Sequence, residues 1–299
     1  MSATIEIRNL TKYFGATRAI DDLTLEVERG EVFGILGAEG SGKSTLLSLL
    51  ANLVYPTSGE IRVFGKELRR NFMQLAPRIG FVLDRPAFFE HLTVSKNLQL
   101  FGRLSRKNVN LDRALDLVGL LHASEREARD LSLGSRQRLA LALAFLGEPE
   151  VLVLDDPAAG LNPEQSQEVL NLLRYLCDRS GVTVVVSSQM MHEVETLCDR
   201  VALLNHGQLV SVGNTDRLLS YDTSTLEVLV EHPESLARRL REESWVAQVD
   251  VKPGRVIVKL PDRDPQHLIA FLVEQKYSVS GVIPRRRTLQ EYFLKALNV

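Results

Sequence analysis

Features typical of secreted or membrane-embedded proteins are missing from this chain. Its longest unbroken apolar run, Leu139–Gly147, has nine residues, and a helix needs about 20 to cross a bilayer. The opening Met1-Ser2-Ala3-Thr4-Ile5-Glu6 has no basic stretch leading into an apolar one. No secretory leader is predicted, and the cytoplasm is the expected setting. Two cysteines, Cys177 and Cys198, are too few for a disulfide framework; both fall in predicted helices and read as buried or incidental thiols. A surplus of positive charge is lacking too. With 36 Lys and Arg against 38 Asp and Glu, the net charge is -2, and without a basic excess no nucleic-acid partner is predicted. No internal repeat or low-complexity tract is present. The 299 residues, 44% of them hydrophobic, suffice for one large domain and a small one.

What stands out is Gly37-Ala38-Glu39-Gly40-Ser41-Gly42-Lys43-Ser44, which spells G-x-x-x-x-G-K-[ST]. It lies where such a loop must lie. Glu31–Leu36 before it reads as a buried strand, and Thr45–Leu50 after it reads as an apolar helix start. Glycines let successive N–H groups converge on an anion, and the helix that follows adds its positive end. Lys43 brings a point charge to the β- and γ-phosphates. Ser44 offers a hydroxyl to a phosphate-bound Mg²⁺, a cation that takes few protein ligands.

Around this loop the chain reads as α/β. Ile5–Leu10 and Leu23–Val27 alternate as an antiparallel pair, with Lys12-Tyr13-Phe14-Gly15 predicted as a turn. Phe14, placed before the phosphate loop, is a candidate platform for a stacked purine. Strands are predicted at Glu60–Phe64 and Arg78–Leu83, and Asp84-Arg85-Pro86 breaks the sheet. From Thr93 to about Gly147 the apolar spacing predicts helix throughout, a helical insert spanning about 85–148. Ser132 is predicted as a helix N-cap with the N–H of Gly134 left free beyond it. Val151–Leu154 is a continuous buried strand ending in Asp155-Asp156, which places two carboxylates at the ligand edge of the sheet. Asn162-Pro163-Glu164-Gln165 starts a helix predicted to run to about Arg179. Thr183–Val186 is the next strand, Ser187-Ser188-Gln189 leaves its end, and Val201–Leu204 with Leu209–Val212 turn at His206-Gly207. From about Leu226 the texture becomes strand, helix, hairpin, helix, strand and terminal helix, a small α+β domain. The expected division is 1–220 and 221–299.

Taken together, these motifs resemble the ATP-binding subunit of an ATP-binding-cassette (ABC) transporter over about residues 4–220. The resemblance implies a P-loop ABC ATPase fold with an antiparallel β subdomain and a helical insert, and ATP and Mg²⁺ as cofactors. It implies that Phe14 stacks on adenine, that Gly37 to Thr45 form the Walker A loop, and that Asp155 holds Mg²⁺ as the Walker B carboxylate. Leu131 to Ser135 looks like the signature motif, whose Ser132, Gly134 and Ser135 would meet the γ-phosphate bound to a second cassette. The implied partners are that second cassette, in a homodimer or heterodimer, and a separate transmembrane permease that holds the chain at the cytoplasmic face of the membrane. The tail resembles the accessory domain of exporter ATPases.

Several positions depart from the usual family pattern, and they gather around the γ-phosphate. Asp84 stands where a glutamine senses the metal and the attacking water. Asp156 stands for the glutamate that polarises that water, Gln189 for the switch histidine and Asn162 for an aspartate coupling the two sites. Leu133 and Ser135 replace a glycine and a glutamine of the signature, and Ala38 and Glu39 replace the usual Pro-Asn of the loop. Asp156 keeps a carboxylate one methylene short, and Gln189 donates but cannot become cationic. ATP binding is therefore expected to survive better than hydrolysis, with a nucleotide-gated regulatory module as the alternative to a transport ATPase.

Overall fold

The computed structural model describes residues 3–83, 88–104, 110–219, 221–260, 265–286 and 288–296. The expectation for Asp84-Arg85-Pro86 falls outside the described residues. The chain divides into two compact units, the first spanning Met1–Thr215 and the second Asp216–Lys295.

The first unit opens with strands β1 (Ala3–Phe14), β2 (Thr17–Glu28) and β3 (Val32–Leu36), then helix α1 (Lys43–Leu50). Strands β4 (Ser58–Val63) and β5 (Lys66–Glu67), helix α2 (Leu68–Leu75) and strand β6 (Ile79–Val82) follow. Next come α3 (Val94–Leu104), α4 (Leu111–Leu117), α5 (Leu133–Phe145), β7 (Val151–Asp155) and α6 (Pro163–Ser180). The unit ends with β8 (Thr183–Ser188), α7 (Met191–Leu197) and the hairpin β9 (Arg200–Asn205) and β10 (Gln208–Asn214).

Two sheets organise these elements. One is antiparallel in the order β2-β1-β4-β5, and the other runs β10-β9-β3-β8-β7-β6. In the second sheet β9, β3, β8, β7 and β6 are mutually parallel and only β10 is antiparallel. Their uniformly buried runs, such as Val-Phe-Gly-Ile-Leu in β3 and Val-Leu-Val-Leu in β7, are what a sheet covered on both faces requires. The core joins Ile5, Ile7, Leu23 and Leu25 of the antiparallel sheet to Phe33 and Ile35 of β3, with Leu46, Leu47, Leu49 and Leu50 of α1 between them. The helix after the loop is therefore fixed between the two sheets.

Two expectations change. Lys12-Tyr13-Phe14 is strand rather than turn, because β1 runs on to Phe14 and pairs it with Thr17 of β2. The insert is not helical throughout: extended and 3-10 segments lie between α4 and α5, and Thr93 forms an isolated bridge with Glu127. Backbone bonds between remote segments hold that irregular path: Val94 donates its N–H to the Arg126 carbonyl, Ala128 to Leu92 and Arg129 to Glu90. A side chain reinforces the near end. Asn97 of α3 is fully buried; it accepts from the Phe89 N–H at 2.8 Å and donates to the carbonyls of Phe89, Leu92 and Thr93, each of which also accepts a backbone N–H. Helices α2 and α7, each with two buried side chains, carry too little apolar pattern to announce themselves.

The second unit continues with helix α8 (Thr215–Leu218), whose first residue still belongs to the first unit, then β11 (Tyr221–Val230), α9 (Pro233–Arg241), β12 (Gln248–Lys252) and β13 (Arg255–Lys259). It ends with α10 (Pro265–Glu274), β14 (Val279–Arg286) and α11 (Leu289–Ala296). Its antiparallel sheet has the order β12-β13-β11-β14. From β11 to β14 this is the βαββαβ arrangement of ferredoxin-like domains. Leu226, Val228, Val256 and Val258 pack one sheet face against Leu236 and Leu240 of α9 and Leu268 and Leu272 of α10.

Replacing Asn97 by alanine removes the acceptor of the Phe89 N–H and the second donor to three carbonyls, and we expect it to cost about 1–3 kcal/mol. Urea unfolding followed by circular dichroism measures this, as a lower midpoint at unchanged slope.

Candidate functional site

Four parallel strands end side by side, and the residues leaving them make one pocket of about 560 Å³. After β3 comes the glycine-rich loop, after β7 Asp156, after β8 Gln189, and after β9 His206. The loop's last glycine, Gly42, has φ of +105°, and a Cβ there would lie 2.6 Å from the Ala19 carbonyl. No other residue fits that position without moving β2. Lys43 opens α1 and is buried; its Nζ donates to the carbonyls of Gly37 at 2.7 Å and Ala38 at 2.9 Å, which clamps the loop into its turn. Burial holds the Lys43 ammonium below its ordinary pKa, opposed by the charges of Asp155, Asp156 and Glu39. The cation is therefore poorly solvated, which favours an anionic ligand, while the carboxylates beside it would repel a polyanion unless a cation lay between them.

The two carboxylates differ in support. Asp155 ends β7 opposite Ser187 of β8, whose hydroxyl donates to Asp155 Oδ1 at 2.5 Å. Asp156 leaves the strand with φ of +44° and donates its N–H to the Ser187 carbonyl at 3.2 Å and hydroxyl at 3.0 Å. Burial, then the charges of Glu193 and Asp155, push the Asp156 carboxyl above the usual range, with Lys43 pulling the other way. Gln189 is exposed at the pocket mouth. The donor set, a Ser44 hydroxyl beside the Asp155 carboxylate on the pocket wall, consists of hard oxygens and suits Mg²⁺. Among the described residues no three His, Cys, Asp or Glu side chains gather as a transition-metal cage needs.

Of the residues singled out from the sequence, Glu39, Gly40, Gly42, Lys43, Ser44, Thr45, Asp155, Asp156 and Gln189 line this pocket. Gly37, Ala38 and Ser41 complete the loop behind them, with the Ser41 carbonyl accepting from the Gly207 N–H at 3.0 Å. Phe14 is not on the pocket wall. It is 47% exposed, with Lys12 Nζ 4.8 Å from its ring centre, and its strand partner Thr17 lines the pocket. Ser132, Gly134 and Ser135 are not in the pocket either. They form the start of α5, where Ser132 Oγ accepts from the Ser135 N–H at 3.2 Å and donates to the Ser135 hydroxyl at 3.0 Å. Leu133 is 54% exposed. Gly134 is buried, and a Cβ on it would meet the Gln165 side chain at 3.0 Å. Asp84 lies outside the described residues.

Sequence reasoning missed Thr17, Arg18, Ala19, Ser187 and His206 on the pocket wall. Ser187 carried a usable signal, a polar residue at the carboxyl end of a buried parallel strand. Glu193, which raises Asp156, reads in sequence as an ordinary helix carboxylate.

A P-loop nucleotide-binding cassette is the class this fold and pocket define. Comparisons place it further. The ABC transporter family model matches residues 20–159. The chain is 31% identical over 297 residues to the uncharacterised ABC transporter ATP-binding protein YhcH of Bacillus subtilis, covering 99% of this chain and 96% of that protein. It is 30% identical to the bacitracin transport ATP-binding protein BcrA of Bacillus licheniformis, covering 99% and 98%. It is 33% identical to the daunorubicin/doxorubicin resistance ATP-binding protein DrrA of Streptomyces peucetius, covering 95% and 85%. Among solved structures, cbiO1 of Clostridium perfringens, part of the ABC transporter complex cbiONQ, superposes with a TM-score of 0.67 at 26% identity, covering 82% of this chain and 96% of that one. The dimeric post-hydrolysis cassette MJ0796 bound to ADP and Pi shares the fold, with a TM-score of 0.65 at 24% identity over 71% and 98%. The chain belongs to the family of ABC transporter ATP-binding proteins.

The raised carboxyl of Asp156 opposes folding. Its proton is held more tightly in the folded chain than in the unfolded one, so stability falls as pH rises through the interval between the two pKa values. Asp156→Asn should therefore raise the unfolding midpoint by about 1–3 °C at neutral pH, discounted for a half-exposed group. The gain should vanish below the ordinary aspartate pKa of about 3.9. Calorimetry of both proteins between about pH 3 and pH 8 measures it.

Proposed function

We propose that this chain is the ATP-hydrolysing subunit of an exporter whose membrane-spanning part is a separate polypeptide. What carries the reading is the convergence of Lys43, Ser44, Asp155, Asp156 and Gln189 on one pocket. Two observations support the transport part. No helix among the described residues is long and apolar enough to cross a membrane, so a membrane step would need another chain. Relatives matched along nearly their whole length carry names of bacitracin transport and of drug resistance. The chain would sit at the cytoplasmic face of the membrane through that partner.

In this reading two cassettes, identical or not, close head to tail over ATP. Phe14 stacks on adenine at the pocket rim. The loop N–H groups and Lys43 hold the β- and γ-phosphates. Ser44 and Asp155 would hold Mg²⁺, which supplies charge neutralisation at those phosphates. Asp156 orients the water for in-line attack, and Gln189 donates to a γ-phosphate oxygen. Ser132 and Gly134 of the opposite cassette complete the charge stabilisation, with exposed Leu133 directed away from the phosphate. The tail, 221–299, is an accessory domain.

Hydrolysis is slow in this scheme for a stated reason. A misplacement of about 1 Å can cost about a hundredfold in rate, and Asp156 reaches one methylene less than glutamate. Its burial beside Asp155 and Glu193 also makes its charged form costly. The same observation favours the second reading, a regulatory module that closes on ATP and hardly turns it over.

Lys43→Ala should abolish ATP-dependent dimerisation; unchanged ATP affinity in that variant would overturn the phosphate-loop assignment. Asp156→Glu combined with Gln189→His should raise turnover at least severalfold in a phosphate-release assay. Turnover already within the usual range of about 1 to 1,000 per second, with no gain from the double change, would show both residues competent as they stand.

A further inference from the structure

Glu193 lies in the first turn of α7, is half-buried, and has both carboxylate oxygens engaged. Oε2 accepts from the Ser188 hydroxyl at 3.1 Å, at the end of β8. Oε1 accepts from the Ser166 hydroxyl at 2.8 Å, in the first turn of α6. Ser188 is itself held, since its oxygen accepts from the Met190 N–H at 2.9 Å. Gln189 is thus suspended between two backbone positions that Glu193 fixes through one hydroxyl.

The first turn of α6 carries a second contact. Gln165 donates its N–H to Asn162 Oδ1 at 2.9 Å, and its Oε1 accepts from the Asn162 N–H at 3.4 Å. That box locks the Gln165 side chain, whose amide lies against Gly134 at the start of α5, at the distance where a Cβ would meet it. Ser166 and Gln165 are adjacent on one turn of helix. Whatever shifts Ser166 shifts Gln165 with it.

We propose that Glu193 is a positioning residue that ties the Gln189 end of β8 to the first turn of α6, and through Gln165 to Gly134. This rests on the hydrolytic reading above, in which Gln189 serves the nucleotide held by this chain and Gly134 serves the one held by the opposite cassette. A chain of hydrogen bonds, closed by packing of the Gln165 amide against Gly134, then links the two roles within one subunit, and each cassette reports the state of its own pocket to its neighbour's nucleotide. A second α5–α6 contact, the exposed Arg138–Glu168 pair at 3.2 Å, lies off this route and serves as a control.

The test is a double-mutant cycle on the full chain. Glu193→Asp, which keeps the charge near Asp156 but shortens the bridge by one methylene, should lower ATP turnover at least fivefold and leave the KM for ATP within twofold, because it touches no nucleotide. Gln165→Ala should lower turnover at least threefold, and the double variant should be no slower than the slower single one. Arg138→Ala combined with Glu193→Asp should instead multiply. Multiplication in both pairs would overturn the proposal. In parallel, Glu193→Asp should speed amide exchange at Ser135, Arg136 and Gln137 at least threefold, with no nucleotide added; unchanged exchange there would overturn it too. Should the unmodified protein show no turnover, the hydrolytic reading fails, and the exchange result alone decides whether the tie exists.

Discussion

The contact on which the nucleotide pocket depends is a hydroxyl shared between two parallel strands. Ser187, the last residue but one of β8, donates to Asp155 at the end of β7 and receives the N–H of Asp156. Without it the two adjacent carboxylates would repel with no donor between them. With it, Asp155 stays in register with β8 while Asp156 turns out at a backbone angle that L residues rarely adopt. That strained turn, worth of order 1 kcal/mol or more, is affordable because the strands on either side are buried runs that cannot slip. The stability of the sheet thus becomes the precision of the site.

The loop after β3 follows the same logic with backbone instead of side chains. Gly42 lets the chain pass close to β2, Lys43 closes the loop from inside, and the β9–β10 turn is bonded to Ser41 from outside. Three segments remote in sequence therefore meet at one anion-binding loop, and α1 behind it is wedged between the two sheets. A loop held so firmly can offer its N–H groups to phosphate without reorganising, which is where binding is strongest.

Much of this was legible in the sequence because local chemistry dictated it. The G-x-x-x-x-G-K-S run, the Asp155-Asp156 pair after a buried strand, the Asn162–Gln165 box and the strand-helix order of the tail each carry their own signal. The path of the insert was not legible, since it depends on backbone bonds between segments remote in sequence, such as Val94 to Arg126, Ala128 to Leu92 and Arg129 to Glu90, with the buried Asn97 amide beside them. The length of β1 was hidden because Tyr13 and Phe14 look like turn residues until Thr17 pairs back across them. Glu193 was invisible for a further reason. Its importance comes from two serines, Ser166 and Ser188, that only the tertiary fold brings to it. Proximity among remote residues is what sequence pattern leaves out, and the coupling device of this cassette is made of it.

The central claim is that this pocket binds ATP well and hydrolyses it slowly because of its own residues. One measurement addresses it most directly: ATP bound per chain and phosphate released over time, followed on the same unmodified sample with Mg²⁺ present. The account predicts one ATP bound per chain and turnover below about 1 per second, the lower end of ordinary enzyme rates. Turnover above that rate, or no ATP bound with Mg²⁺ present, would contradict it.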